Sequence, residues 1–161
     1  MNAISGYRFA APFFAGKLSV LFEEGEFPVE RHVKSTIEGD EVPSLIDELP
    51  VLAARASHGS RLVVRGAGEL RVKESDRISA LAAGLRAMGG DIEEFPDGFH
   101  VRGARRLTGG RPDACHDHRL AMAFAIAGLA ASGETVIRGA DAVDVSYPGF
   151  FETLAALGRA D

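Results

Sequence analysis

The sequence is poor in several residue types, and each shortage narrows what the chain can be. It has one cysteine and no tryptophan, and only three of its 18 basic residues are lysines. A single cysteine excludes a disulfide within the chain and is typical of a reducing compartment. No stretch approaches the roughly 18 consecutive apolar residues of a membrane helix, and the first residues lack the pattern of a secretion signal. We therefore expect a soluble, cytoplasmic chain that spans no membrane.

The charge balance argues against a second group of functions. The 161 residues carry 23 acidic and 18 basic side chains, a net charge of −5. Proteins that bind nucleic acids or membrane surfaces usually have a basic excess, so we expect neither partner. Because most of the basic residues are arginines, planar bidentate pairing with carboxylate or phosphate groups is favoured, although genome composition could produce the same bias.

Hydrophobic spacing and turn residues predict the following elements in a mixed α/β chain. Helices are expected over about 44–56, 76–88, 118–131 and 148–157, and strands over 61–65, 91–95, 99–102 and 135–138. Asp97-Gly98 predicts a hairpin, and Ser75 is a candidate cap for the second helix. Residues 1–24 could form a strand pair or the remnant of a truncated element.

The predicted elements contain an internal repeat. Arg65-Gly66-Ala67 recurs 73 residues later as Arg138-Gly139-Ala140. On that offset each copy reads as helix, strand, turn, short strand and helix. The copies differ where the last helix begins, because residues 73–77 are strongly charged and residues 146–150 are nearly neutral. The needs of the scaffold alone do not explain that difference.

A first candidate site lies at the start of the second predicted helix, at Arg71, Lys73, Glu74 and Arg77. Cations at a helix N-terminus are unfavourable by about 0.3–1 kcal/mol each, so several of them there suggest a bound anion. Glu74 among these cations could exchange a proton with a bound substrate. The alternative is a solvated helix end with no ligand.

Two further motifs carry similar chemistry. Asp117 is a natural N-cap for the third predicted helix, and Arg119 behind it repeats the unfavourable cation, which suggests a shared anionic ligand. Asp47 and Glu48 come just before Pro50, at the N-terminal entry of a predicted helix, where a carboxylate could act as a base that faces a substrate hydroxyl. The alternatives are that Arg119 pairs with an acid elsewhere and that Asp47 or Ser44 only caps a helix.

Other chemistries find little support. Cys115, His116 and His118 are close in sequence but lack a second ligand cluster, so we expect no metal. Gly66-Ala67-Gly68 is too short a signal for a phosphate loop. The sequence has no serine or cysteine nucleophile accompanied by a base pattern.

Residues 70–78 and 117–123 together closely resemble motifs of the 5-enolpyruvylshikimate-3-phosphate synthases, with support from residues 37–50 and 146–151. The resemblance implies the enolpyruvyl transferase fold, an α+β or α/β architecture of βαβαββ-type repeats, with about two clear repeats here. It makes residues 25–161 a C-terminal domain whose N-terminal partner domain is absent, and leaves residues 1–24 unassigned.

That family moves the enolpyruvyl group of phosphoenolpyruvate to the 5-hydroxyl of shikimate 3-phosphate, releases phosphate, and uses no metal or organic cofactor. The reaction belongs to aromatic amino-acid biosynthesis, and two domains close over the substrates. We therefore expect this chain to carry half of an active site and to be inactive alone. The alternative is an anion-binding, non-catalytic or regulatory module. The sibling transferase that acts on a nucleotide sugar is disfavoured by both motifs.

The resemblance also implies individual roles. Asp47 is similar to the carboxylate that contacts the shikimate hydroxyls and acts as a base, and Lys73 to the lysine that contacts the shikimate phosphate side and the region of the reacting hydroxyl. Glu74 resembles the acid/base that protonates the methylene of phosphoenolpyruvate. Arg77 and Arg119 resemble the pair that holds its carboxylate, and Asp117 and His118 are neighbouring site residues. A lysine that some members place near the phosphate is missing, since Val145 and Ser146 stand there.

Overall fold

The computed structural model describes residues 36–103 and 107–157, together with the backbone of Gly6–Phe9. The helices there are α1 (Val42–Leu45), α2 (Leu49–Ala56), α3 (Arg77–Ala87), α4 (His118–Leu129) and α5 (Phe150–Leu157). The strands are β1 (Gly6–Phe9), β2 (Thr36–Ile37), β3 (Arg61–Val64), β4 (Asp91–Phe95), β5 (Gly98–Arg102) and β6 (Thr135–Arg138). Short 3₁₀ helices cover Gly39–Glu41, Gly68–Val72 and Ala140–Val145.

Four strands form a mixed sheet in the order β2-β3-β5-β4. The short β2 runs parallel to β3, whereas β3 and β5, and β4 and β5, pair antiparallel. Register places Leu62 opposite Val101 and Val64 opposite Phe99, and all four side chains are buried on the same face. The opposite face carries Arg61, His100 and Arg102, as the period of two in a half-buried sheet requires. A second sheet joins β1 antiparallel to β6.

The core lies between the buried face of the large sheet and the helices, with α4 at its centre. Helix α4 is buried along most of its length and packs against α2 and α3. Gly84 of α3 faces the ring of Phe124 so closely that an added Cβ would lie 2.1 Å from it. This contact holds the two helices close together. Within the described ranges, no helix combines the length and apolarity needed to cross a bilayer.

The internal repeat is present in three dimensions. Gly66 and Gly139 both turn the chain in the left-handed region, with φ of +73° and +69°, a conformation that glycine adopts without strain. Each glycine precedes a 3₁₀ helix and then α3 or α5. Equivalent side chains also match in burial, since Leu70 and Val143 are buried whereas Val72 and Val145 are 80% and 83% exposed.

Two expectations about elements were wrong. The short strand expected after each turn is a 3₁₀ helix. In each of them a buried apolar residue is followed two positions later by an exposed valine, a spacing that resembles the alternation of a strand. The helix expected over 44–56 is interrupted at residues 46–48 and resumes at Leu49. Pro50 explains the interruption, because its ring would clash with the carbonyl of Ile46 in a continuous helix.

The other expected elements agree closely. The second helix, the hairpin, the third helix and the strand over 135–138 all form, and the last helix begins two residues late at Phe150. Most of residues 1–24 lie outside the described residues. Within that segment, Gly6–Phe9 forms β1, with Gly6 opposite Arg138.

Candidate functional site

Arg77 is the centre of the candidate site. It is the first residue of α3, and only 2% of its side chain is exposed. Its guanidinium donates from Nε to Asp117 (2.6 Å) and from Nη1 to Asp47 (3.0 Å), and it forms a third ion pair with Glu74. Burial alone would lower the pKa of Arg77, but the three carboxylates, Asp117 first, outweigh that effect and raise it. Three segments far apart in sequence therefore meet at one cation.

Asp117 holds this arrangement together from the buried side. Its carboxylate is fully buried and accepts hydrogen bonds from the backbone N–H groups of Arg119 (2.9 Å) and Leu120 (3.4 Å) at the start of α4. The same carboxylate accepts from Arg77 and from the Ser75 hydroxyl at 3.1 Å. Because one group caps α4 and binds the first residue of α3, the two helix starts are locked together.

Ser75 is a site residue that sequence reasoning missed. The expected cap of α3 at Ser75 was wrong, since the Asp76 carboxylate accepts the Ser79 N–H instead, at 3.1 Å. Ser75 turns toward Asp117, which lies 42 residues further along the chain. No local pattern signals a partner at that separation.

Arg119 completes the cluster on its more open side. Its Nη2 lies 3.4 Å from Asp47 Oδ2, its Nη1 lies 3.4 Å from the Asp47 carbonyl oxygen, and 34% of its side chain is exposed. The structure shows the alternative expected for this motif, because Asp117 caps α4 and Arg119 pairs with a distant acid, Asp47. Asp47 and Glu74 are 41% and 49% exposed. Three carboxylates face two guanidinium groups, so the cluster carries a net negative formal charge.

Lys73 and His118 adjoin two cluster residues in sequence, Glu74 and Asp117. The Lys73 ammonium pairs with Glu69, one turn back in the preceding 3₁₀ helix. His118 is the first residue of α4, partly exposed and flanked by Asp117 and Arg119. Within the described ranges, neither side chain forms an ion pair with Asp47, Glu74 or Asp117.

Arg71, which the sequence groups with Arg77, is bound by acceptors outside the cluster around Arg77. Its guanidinium donates to the carbonyl oxygens of Phe95 and Pro96 at 2.6 and 2.7 Å and to the carboxylates of Asp76 and Glu94 at 2.8 and 3.0 Å. Arg71 thus ties the start of α3 to the β4–β5 hairpin. Its partners follow it by up to 25 residues, which is why the local pattern was misleading.

The loop before Asp117 is conformationally unusual. Cys115 and His116 both have positive φ, at 51° and 57°, in a region that few non-glycine residues adopt. The loop is supported by the Cys115 N–H, which donates to Asp113 at 2.8 Å. Burial, and then the Asp113 charge, raise the pKa of the Cys115 thiol, so it is a poor nucleophile at neutral pH. Within the described part of the chain, no three His, Cys, Asp or Glu side chains are grouped as metal ligands would be.

Comparisons with known proteins decide the family. The family model of EPSP synthase (3-phosphoshikimate 1-carboxyvinyltransferase) matches residues 16–154, which include every residue of the cluster around Arg77. This chain belongs to the EPSP synthase family. The resemblance inferred from residues 70–78 and 117–123 is thereby confirmed, and so are the fold class and the transferase family.

Individual relatives agree with this assignment. The 3-phosphoshikimate 1-carboxyvinyltransferase of Koribacter versatilis is 56% identical over 119 residues, 73% of this chain and 28% of that enzyme. The enzyme of the same name from Roseiflexus sp. is 57% identical over 125 residues, 77% of this chain and 29% of its own length. A solved EPSP synthase from Acinetobacter baumannii superposes with a TM-score of 0.72 at 40% identity, over 76% of this chain and 29% of that one. The chain thus spans a little over a quarter of these relatives.

Proposed function

We propose that this chain supplies one side of an active site that transfers the enolpyruvyl group of phosphoenolpyruvate to the 5-hydroxyl of shikimate 3-phosphate. The observation that carries the proposal is the meeting of Asp47, Glu74 and Asp117 at Arg77, with Arg119 beside them. Family membership adds the reaction that the names of the relatives describe.

The proposed reaction needs the kinds of group that the cluster around Arg77 contains. Addition of a hydroxyl to the enol carbon needs a base that takes the hydroxyl proton and an acid that protonates the methylene carbon to a methyl group. Loss of phosphate then needs a base that removes a proton from that methyl group. We assign the hydroxyl proton to Asp47 and the methylene carbon to Glu74, the roles that the family resemblance implies, and both carboxylates are about half exposed at the cluster. A single carboxylate that alternates between acid and base suits the addition and the elimination.

The cations take the binding roles. Arg77 and Arg119 hold the carboxylate of phosphoenolpyruvate, a task suited to planar guanidinium groups. Lys73 lies beside the reacting hydroxyl, and His118 lines the site between Asp117 and Arg119. Asp117 acts through Arg77, whose position it sets by a 2.6 Å hydrogen bond.

The rest of the site belongs to a second domain in this proposal. Residues 25–161 form the C-terminal domain, and the N-terminal domain of such an enzyme closes over the substrates in the cytoplasm. Enolpyruvyl transfer depends on orienting two anions in a closed cleft, so one side alone loses most of the rate. We expect no detectable phosphate release from the two substrates with this chain alone, measured by a coupled phosphate assay. Turnover at the rate of a whole enzyme would contradict the proposal.

Ligand binding tests the site directly. Isothermal titration calorimetry of this chain with phosphoenolpyruvate should detect binding that Arg119→Ala weakens at least tenfold, the loss of about one charge-assisted hydrogen bond. Arg138→Ala is the matched control, because Arg138 is an exposed arginine paired 3.6 Å from Asp113 outside the cluster. Equal affinities for Arg119→Ala and the unaltered chain would overturn the assignment.

A further inference from the structure

We propose that Glu74 is an internal competitor for Arg77. Its carboxylate occupies guanidinium donors that a ligand carboxylate would take, so that ligand binding exchanges one carboxylate for the other. This inference rests on the proposed function, in which Arg77 holds the carboxylate of phosphoenolpyruvate.

Burial requires such an exchange. With 2% of its side chain exposed, Arg77 presents almost no surface to an incoming molecule, and the three carboxylates enclose it. A ligand carboxylate can take the place of Asp47 at Nη1 or of Glu74 at Nη2 when the carboxylate bound there moves away. Electrostatics point the same way, because a fourth carboxylate added to the cluster would raise a negative charge that already exceeds the positive one.

Glu74 is the carboxylate best able to leave. Asp117 is fully buried and accepts four hydrogen bonds, so its removal would break the start of α4. Asp47 is held by two arginines, Arg77 and Arg119. Glu74 is about half exposed, its one ion pair among the described residues is with Arg77, and it lies in the bend ahead of α3 rather than in a helix or strand.

The exchange would couple binding to catalysis. While Glu74 is paired with Arg77, its carboxylate is held by the cation and is poorly placed to reach a substrate carbon. A ligand carboxylate that takes over Arg77 releases Glu74 next to the ligand that displaced it. The acid/base assigned to the methylene group thus becomes available only when phosphoenolpyruvate is in position.

The test is a comparison of two glutamate-to-glutamine variants by calorimetry with phosphoenolpyruvate at fixed ionic strength. Glu74→Gln keeps the size of the side chain but weakens its hold on Arg77, so the affinity should rise roughly three- to tenfold, the effect of one partly exposed ion pair. Glu69→Gln is the matched control, because Glu69 is also an exposed carboxylate of this region but pairs with Lys73. Its affinity should change less than twofold.

The outcomes separate this inference from the function on which it rests. Tighter binding by Glu74→Gln alone supports the exchange. Equal tightening by both variants would show a general charge effect and overturn it. Binding that Arg119→Ala weakens but Glu74→Gln leaves unchanged or weakens would overturn the exchange and keep the proposed function. Binding that is insensitive to both Arg119→Ala and Glu74→Gln would overturn both.

Discussion

Arg77 is a buried cation whose charge is balanced by groups from three different segments. Burying a charge is costly unless it is paired and hydrogen-bonded, and removing one member of a buried pair leaves the other uncompensated. In this chain the group left behind would be Asp117, which is fully buried. Arg77 therefore contributes to the stability of the fold as well as to the site.

This dual role predicts a large effect of Arg77→Met on stability. The free energy of unfolding, measured by urea denaturation, should fall by about 3–5 kcal/mol, the usual cost of breaking a buried ion pair. Arg102→Met is the control, since Arg102 also pairs with two carboxylates, Asp91 and Glu93, but is 44% exposed. It should cost less than about 1 kcal/mol. Similar losses for the two variants would contradict the buried-charge account.

His100 gives a second prediction at this scale. Burial, and then the charges of Arg102 and Arg61, lower the pKa of His100 below its ordinary 6.5, while Glu93 and Asp91 oppose the shift. The unfolded chain then binds more protons than the folded one as the pH falls below 6.5, so His100 makes folding less favourable there. An NMR titration should show His100 titrating below 6.5 and moving upward in Arg102→Gln. An unchanged midpoint would contradict the assigned cause.

Single residues also show what the sequence could and could not predict. The cap at Asp117 follows from a local pattern and is confirmed, because the donors it accepts lie within three residues. The pairing of Arg77 with Asp47 joins residues 30 positions apart and depends on how α2, α3 and α4 pack. For Arg71 the local pattern is misleading in another way. The pattern suggests a cation facing a ligand, whereas its guanidinium binds residues of the β4–β5 hairpin that lie 23 and 24 residues further along the chain.

At the scale of elements, the site depends on the close packing of α3 and α4. Arg77 begins α3 and Asp117 caps α4, so the distance between the two helices sets the distance between these side chains. Gly84 permits the close approach, because its missing side chain leaves room for the Phe124 ring. A helix-interior glycine costs about 1 kcal/mol relative to alanine, which this packing offsets.

The prediction is that Gly84→Ala destabilises the chain although alanine is the better helix former. Overpacking should lower the free energy of unfolding by about 1–3 kcal/mol, and Gly84→Ala combined with Phe124→Leu should recover part of the loss. Gly68→Ala is the control, since no atom lies within 4 Å of an added Cβ there. A Gly84→Ala variant as stable as the parent in thermal denaturation would argue against a tight contact between α3 and α4.

Elements were predictable where periodicity and end signals agreed, as for α3 and α4. The two 3₁₀ helices were misassigned because each shows a buried and an exposed apolar residue two positions apart, as a strand would. The repeat itself was correctly found from Arg65-Gly66-Ala67 and its second copy. Its left-handed glycines are a backbone requirement that the sequence reveals directly.

For the molecule as a whole, the net charge of −5 conceals a local arrangement of a different kind. Acids from three segments surround Arg77, and one of them, Asp47, also pairs with Arg119, at a place where the starts of α3 and α4 meet the turn before α2. A composition averages over this arrangement, and only the fold brings it together. Residues that the family model matches supply this cluster, while the chain spans a little over a quarter of its relatives.

A chimeric enzyme tests the central claim, that this chain carries the acid, base and cations of an enolpyruvyl transferase. The matched 119 residues of the Koribacter versatilis relative, 56% identical, would be replaced by the corresponding residues of this chain. Phosphate release from phosphoenolpyruvate and shikimate 3-phosphate is then measured with the chimera and with its Glu74→Ala variant. We predict turnover by the chimera and a loss of about 100-fold or more in Glu74→Ala, the contribution of a general acid/base. A folded chimera that binds both substrates without releasing phosphate, or one unaffected by Glu74→Ala, would contradict the account.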